Sequence, residues 1–431
     1  MNYFAGVMAL LLIIVLVAIM VCRVFDIKKA GALLEFKGKY KGEKTCGKDI
    51  LAIGGEALFL RILMYLVCFL LLRLVYMIED QTFLEWWTKW DATNYIGIAE
   101  GGYSEIKIDN VVNMGNDIMQ TLVFLPLYPV LVAGINFIVG DVYVSALVTS
   151  TICFVTGAIF MYMAVAKIYG KSIAEKAVTL LSVFPFAIYY GGMLPESTFF
   201  MVTAICIYFT IERKWLLAGI AGAFCGIARL QGVLVIAFMG IEWLQEYNVI
   251  DNMFKKEWKS FVASLKKLPF VFMPFLGTIG YLIVNYAYTK DAFYFMKLQH
   301  NIWGHGFADI YHAMVNLVNN LLSNETDIKI VFAVWIPQIV IFFGVLVLIF
   351  CSFKRHRDSI SIYLLIYLII SYSTDFLISG GRYMSAAIPL FIILGEMCEK
   401  KPLVYKWLVI TGVSLMIILM GCHCSGYNMV T

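Results

Sequence analysis

Asp91 lies in Trp86-Trp87-Thr88-Lys89-Trp90-Asp91-Ala92-Thr93-Asn94-Tyr95, just beyond an apolar segment from about Leu51 to Ile78. A carboxylate carried to a membrane surface by a helix, ringed by aromatics and followed by the turn-prone Glu100-Gly101-Gly102-Tyr103, is suited to act as a base. Further along come Glu196 in Pro195-Glu196-Ser197, Arg229, His300 and His305 in the loop from Gln299, and Arg382 in Gly380-Gly381-Arg382-Tyr383. Guanidinium groups hold phosphate oxygens through paired donors, so Arg229 and Arg382 suit a departing phosphate. Asp91 suits removal of a proton from an attacking hydroxyl, a contribution of roughly 10²- to 10⁴-fold. Stabilising the charge that grows on the leaving group is usually the larger effect. His300 and His305 could add donors or, with Glu196, hold a divalent metal. Trp90 and Tyr95 flank the acid and are candidates for substrate contact.

The elements that must position these residues are set by composition. With 61% hydrophobic and 14% charged residues and a mean hydropathy of +0.84, the chain cannot make a soluble surface. Apolar runs long enough to cross about 30 Å of hydrocarbon recur from Tyr3 to Gly421, and helices satisfy their own backbone there. We therefore expect an all-α polytopic membrane protein. The net charge of +4 comes with Lys and Arg concentrated in short loops, which reports orientation and leaves no nucleic-acid footprint. The ten cysteines are scattered, and Cys422-His423-Cys424, lacking two further ligands, reads as incidental and not as a zinc site.

The segment from about Tyr3 to Phe25 is too long for a signal-peptide core and has no basic residue ahead of it, so it reads as a retained anchor. Lys28, Lys29, Lys37, Lys39, Lys41, Lys44 and Lys48 follow, and the positive-inside rule makes that linker cytoplasmic. Asp91 then falls on the outer face, in an acidic loop with Glu79, Asp80, Glu85, Glu100, Glu105, Asp109 and Asp117 against Lys89 and Lys107. The Pro-broken Phe124-Leu125-Pro126-Leu127-Tyr128-Pro129 reads as the start of an interfacial helix reaching Val139. If it crossed, Lys255, Lys256, Lys259, Lys266, Lys267, Lys354, Arg355 and Arg357 would all be outside.

Later spans are expected at about Val142–Ala166, Ala177–Tyr190, Thr198–Ile211, two short segments flanking Arg229, Leu268–Tyr288, Ile330–Phe350, Ile360–Ile378, Met384–Met397 and Leu403–Gly421. That makes about twelve, with a large first external loop from Glu79 to about Asp141. A single helix over Leu216–Leu244 would bury Arg229 at about 2.5–3.5 kcal/mol and break the loop parity. On this topology Asp91, Glu196, Arg229, His300, His305 and Arg382 share the outer face.

Trp90-Asp91 after an outward helix, Phe-Leu-Pro-Leu-Tyr-Pro from Phe124, Pro195-Glu196-Ser197-Thr198-Phe199, Arg229-Leu230-Gln231-Gly232 and Gly381-Arg382-Tyr383 together resemble the PIG-V-like mannosyltransferases, members of the GT-C class of membrane glycosyltransferases. The resemblance runs from about residue 51 to residue 400. It implies a GT-C-like fold, an acid of the first external loop as base (Asp91), a polyprenyl-phosphate sugar donor, mannose as the sugar, and a lipid or glycan acceptor. The reaction is then expected on the extracytoplasmic face of a bacterial cell membrane. Residues 1–50, an extra anchor and basic linker, lie outside the shared pattern, and 401–431 form a last span with a short external tail. Leu230-Gln231 replaces a Pro-containing form common in bacterial relatives.

Each residue has a plainer reading. Asp91 can be a solvated loop residue beside an ordinary interfacial aromatic belt. Arg229 can serve only to pair with Glu196 or a backbone carbonyl, and Asp375 could neutralise Arg382. Glu56 and Arg61, inside a span, are expected to snorkel or pair near the cytoplasmic face. Asn324-Glu325-Thr326 fits a glycosylation sequon, a short pattern that chance also produces. A lipid-linked-glycan transporter or a non-catalytic export component is the competing class, but no internal repeat is visible and few charges fall at mid-membrane.

Overall fold

A computed structural model describes residues 2–25, 40–103, 120–323 and 327–426. Lys28, Lys29, Lys37, Lys39, Glu105, Lys107, Asp109, Asp117 and the Asn324-Glu325-Thr326 triplet lie outside the described residues. The chain is all-α: among the described residues an isolated antiparallel bridge, Phe307 to Thr374, is the only extended pairing.

The anchor α1 (Asn2–Val24) precedes α2 (Gly47–Leu70), which continues as a π-helical turn through Val75. The short α3 (Phe83–Trp87) and α4 (Asp91–Gly101) lead to α5 (Leu127–Val139) and the long α6 (Val142–Tyr169). Then come α7 (Lys171–Ser182), α8 (Glu196–Ile211), α9 (Trp215–Ala228) and α10 (Val235–Glu246). The small α11 (Val249–Phe254), α12 (Trp258–Leu265) and α13 (Leu268–Phe272) precede α14 (Pro274–Thr289), α15 (Tyr294–Asn301) and α16 (Ile310–Leu322). The chain ends with α17 (Ile328–Ile330), α18 (Ile336–Ser352), α19 (Asp358–Tyr372), α20 (Gly380–Ser385), α21 (Ile388–Glu399) and α22 (Pro402–Cys424).

Five helical stretches among the described residues are long and apolar enough to cross a bilayer: Tyr3–Val24, Gly47–Val75, Val142–Tyr169, Ile328–Ser352 and Pro402–Cys424. Others are too short: α8, α9 and α10 have 16, 14 and 12 residues, about 24, 21 and 18 Å against about 30 Å of hydrocarbon. They start or stop within the thickness that α6 spans.

Ion pairs join helix ends at one pole. Asp49 pairs with Lys171 at 2.8 Å, Lys176 with Glu399 at 2.7 Å, Arg23 with Asp358 at 2.6 Å, and Lys167 with Glu212. Arg213 bonds both Glu242 and Glu246 at 2.8 Å, and Arg357 meets Glu242 at the same distance. The linker residue Tyr40 donates to Glu396, which also accepts from Arg355. Lysine-bearing loops far apart in sequence thus share one end, as their charge requires.

The Arg213–Glu246 pair also decides the fate of Leu216–Leu244. The start of α9 and the end of α10 lie side by side, so the two helices form a hairpin with Arg229 at its tip, and a single long helix is excluded. Arg229 is extended (φ −151°, ψ 152°) and a 3₁₀ turn, Leu230–Leu234, reverses the chain. Gly232 is needed there, because any side chain would overlap the carbonyl of Cys225.

Elsewhere expected spans are broken. Ala177–Tyr190 is α7 followed by a separate 3₁₀ turn, Pro185–Tyr190, and Met384–Met397 is divided between α20 and α21 near Ala387. Proline at the start of the later piece in each case removes a backbone donor that a continuous helix would use. Pro126 and Pro129 likewise sit at the start of α5, whose Phe137 is 94% exposed.

Arg61 departs from the sequence expectation. It does not snorkel: it is fully buried in α2, donating to the carbonyls of Ser182 (2.8 Å) and Ala187 (2.9 Å) with its guanidinium 4.2 Å from the Phe154 ring. The α7 helix ends at Ser182 with carbonyls lacking helical partners, and a cation there is favoured by the helix dipole as well. Glu56, by contrast, accepts from Thr179 at an exposed position.

Candidate active site

At the pole opposite the ion-paired loops, Asp91, Glu196, Arg229 and Arg382 come together. Arg382 Nη1 donates to Asp91 Oδ2 at 2.8 Å and its Nε to Glu196 Oε1 at 2.5 Å. The same Glu196 oxygen accepts from Arg229 Nη1 at 2.9 Å. Asp375 is not the partner of Arg382; it accepts instead from the backbone N–H of Gly306 at 2.6 Å.

Four separate elements supply this cluster. Asp91 opens α4, and Glu196 opens α8 directly after Pro195. Both acids therefore sit at helix N-termini, where the dipole favours negative charge. Arg229 is the tip of the α9–α10 hairpin. Arg382 lies in the first turn of α20, whose glycines admit close neighbours: a side chain at Gly381 would overlap the ring of Phe186. Gln338 accepts from the N–H of Gly381 at 3.2 Å and holds that turn in place.

Exposure separates the two carboxylates. The Glu196 side chain is 0% exposed and that of Asp91 is 32% exposed. Glu196 can orient both guanidinium groups but cannot meet a substrate proton without rearrangement, whereas Asp91 can. The remaining guanidinium nitrogens of Arg229 and Arg382 have no acceptor among the described residues. Glu196 Oε2 and the Tyr189 hydroxyl are both buried without a hydrogen bond. Unpaired buried groups are rare in folded proteins, and a patch of them beside two cations marks where a polar ligand would be received.

Aromatics complete the walls. Tyr189 lies 5.0 Å from the Arg382 guanidinium, and Tyr383 and Phe199 lie 5.3 and 5.9 Å from that of Arg229. Sequence reasoning did not single out Tyr189, for which the nearby Pro185 was the available signal, and it noted Phe199 only as the end of the Pro195–Phe199 motif, without a role. Tyr95 is packed edge-on against Phe124 and Tyr128 at 5.0 and 5.6 Å, which makes it part of the wall behind Asp91.

Trp90 takes a left-handed backbone conformation, φ 56° and ψ −124°, strained for a bulky residue. It lines a cavity of about 710 Å³ with Gln81, Thr88, Lys89, Thr93 and Tyr143. Trp90, Thr93 and Ile96 line that cavity from one side of α4, while Asp91 and Tyr95 lie on the other, so the turn at Trp90 sends indole and carboxylate apart.

His300 and His305 fare differently. His300 is exposed on α15, with no hydrogen bond or ion pair to the cluster. His305 packs against Phe376, with ring centroids 6.4 Å apart; burial lowers its pKa, against the raising effects of Asp375, a Phe376 backbone bond and Asp91. Among the described residues no three metal-ligating groups converge, so His300, His305 and Glu196 do not assemble as a metal site.

Fold and site together define a polytopic all-α membrane protein with an acid–guanidinium cluster at one pole. No protein-family model and no curated protein matches the sequence. Among solved structures, ArnT from Cupriavidus metallidurans bound to undecaprenyl phosphate aligns over 80% of this chain and 74% of that one, at 12% identity and a TM-score of 0.47. A likeness at that level leaves function to be read from the residues themselves.

Proposed function

We propose that this chain is a membrane glycosyltransferase of the GT-C class that moves a sugar from a polyprenyl-phosphate donor to an acceptor hydroxyl on the extracytoplasmic face. The observation that carries the reading is the convergence of Asp91, Glu196, Arg229 and Arg382, from four distant parts of the chain, at the pole away from the lysine-rich loops. Mannose as the sugar follows from the resemblance to PIG-V-like enzymes.

The chemistry follows from the geometry. The unused guanidinium nitrogens of Arg229 and Arg382 receive the donor's phosphate oxygens, and Glu196 holds both cations in place. The acceptor oxygen attacks the anomeric carbon as the bond from that carbon to the phosphate oxygen breaks. Asp91 takes the acceptor's proton, and the lipid phosphate leaves with its added charge matched by the two cations. The Arg382–Asp91 bond must loosen in this step, and a phosphate competing for the same guanidinium supplies the means.

The test is transfer of radiolabelled mannose from polyprenyl-phosphate mannose in membranes holding matched amounts of wild type or Asp91→Asn. Label entering a new product with the wild type, and falling by about 10²-fold or more in the variant, is the expected result. Equal labelling by both would remove Asp91 as the base.

A further inference from the structure

Cys68 and Cys424 are 356 positions apart, yet their sulfurs lie 3.7 Å from each other and both side chains are fully buried. Both belong to the pole that holds Asp91. The α2 helix starts at the opposite pole, where Asp49 pairs with Lys171, and Cys68 follows about 28 Å further along the helix axis. The α22 helix starts beside Lys401, next to the Lys176–Glu399 pair, and Cys424 is its last residue.

We infer that Cys68 and Cys424 form a disulfide that staples the last membrane helix to α2. The step rests on the proposed outward orientation of this pole, since disulfides form and persist on the extracytoplasmic side and not in the cytosol. Closing the sulfurs to about 2.05 Å needs a movement of under 2 Å, within reach of side-chain rotation. One thiolate attacks the disulfide of an oxidising dithiol protein or small disulfide. The second then displaces that carrier, leaving a protein disulfide and the carrier reduced to two thiols, which take up the two protons that Cys68 and Cys424 give up. Because both thiols are buried once the bundle is packed, oxidation belongs to membrane assembly, as α22 docks.

The staple bears on the active site. The residue before Cys424, His423, packs edge-on against Tyr189 at 5.5 Å, and Tyr189 lies 5.0 Å from the Arg382 guanidinium. Gly421, one turn earlier, approaches Tyr76 so closely that a side chain there would touch its hydroxyl at 3.0 Å. Fixing Cys424 holds this end of α22 against the wall of the cluster.

The experiment is peptide mapping of full-length protein whose free thiols were alkylated in denaturant, without reductant, as the membranes were dissolved. A Cys68–Cys424 cross-linked peptide, two hydrogens lighter than the sum of its parts and lost on reduction, is expected in the wild type. It should be absent in Cys68→Ser, where Cys424 becomes alkylated. Recovery of both cysteines alkylated without reductant overturns the inference. Exposed Cys46, at the lysine-rich pole, separates the causes. If it is shielded from an impermeant maleimide in intact cells, the orientation stands and only the staple is lost; labelling from outside would remove the orientation as well.

Discussion

At the scale of single residues, the cluster balances two carboxylates against two guanidinium groups, so its members cannot be exchanged one at a time. Glu196→Gln leaves two cations with one exposed acid and should lower stability by about 3–5 kcal/mol. Glu196→Gln with Arg229→Gln restores neutrality and should lose less than the two single changes added together, read by thermal unfolding of the detergent-solubilised protein. Asp91, Arg229 and Arg382 were legible as candidates because charged residues at the ends of apolar runs are few. The pairing of Arg229 with Glu196 was foreseen, but the bonds of Arg382 to Asp91 and Glu196 were not legible, because they join positions 291 and 186 apart. His300 shows the opposite failure: it lies in a polar loop like His305, five residues away, and nothing in the sequence says which of the two turns inward.

Among elements, the long apolar helices were readable from hydropathy alone, and the hairpin at Arg229 from loop charge. The breaks were harder. Val183-Phe184 and Ala386-Ala387 interrupt apolar sequence with apolar residues, so only the prolines following them hint at an end. Arg61 was misread because its partners are backbone carbonyls exposed by one such break, which no residue type announces. The α20 helix depends on the same economy of space. Gly381→Ala should displace it from Phe186 and misplace Arg382, reducing transfer by about 10-fold or more while the protein still folds. Phe186→Leu added to Gly381→Ala should recover part of the loss, and recovery of nothing would deny that the clash is the cause.

For the whole molecule, the anchor α1 is bound into the bundle instead of trailing from it. It packs along α16, and Arg23, 6% exposed, pairs with Asp358 and donates to the carbonyls of Phe353 and His356. Arg23→Ala should therefore cost about 3 kcal/mol or more, with a matching fall in the midpoint of thermal inactivation, whereas a loosely tethered anchor would show no change. The sequence marked this segment as an addition to the catalytic pattern; that it docks was invisible, because the contact partners lie more than 300 residues on.

The unequal distribution of ion pairs has a mechanical meaning. At the lysine-rich pole, salt bridges tie α1, α2, α6, α7, α10, α19 and α21 to neighbours. At the other pole, the described ion pairs of the site are the three that a phosphate would compete for. The bundle is built like a fork gripped at its handle, with its tines held together by a clasp of three ion pairs. If the site takes a phosphate as proposed, its arrival exchanges these three bonds for new ones across the tines, so the ligand acts on the tips and leaves the pairs of the handle untouched.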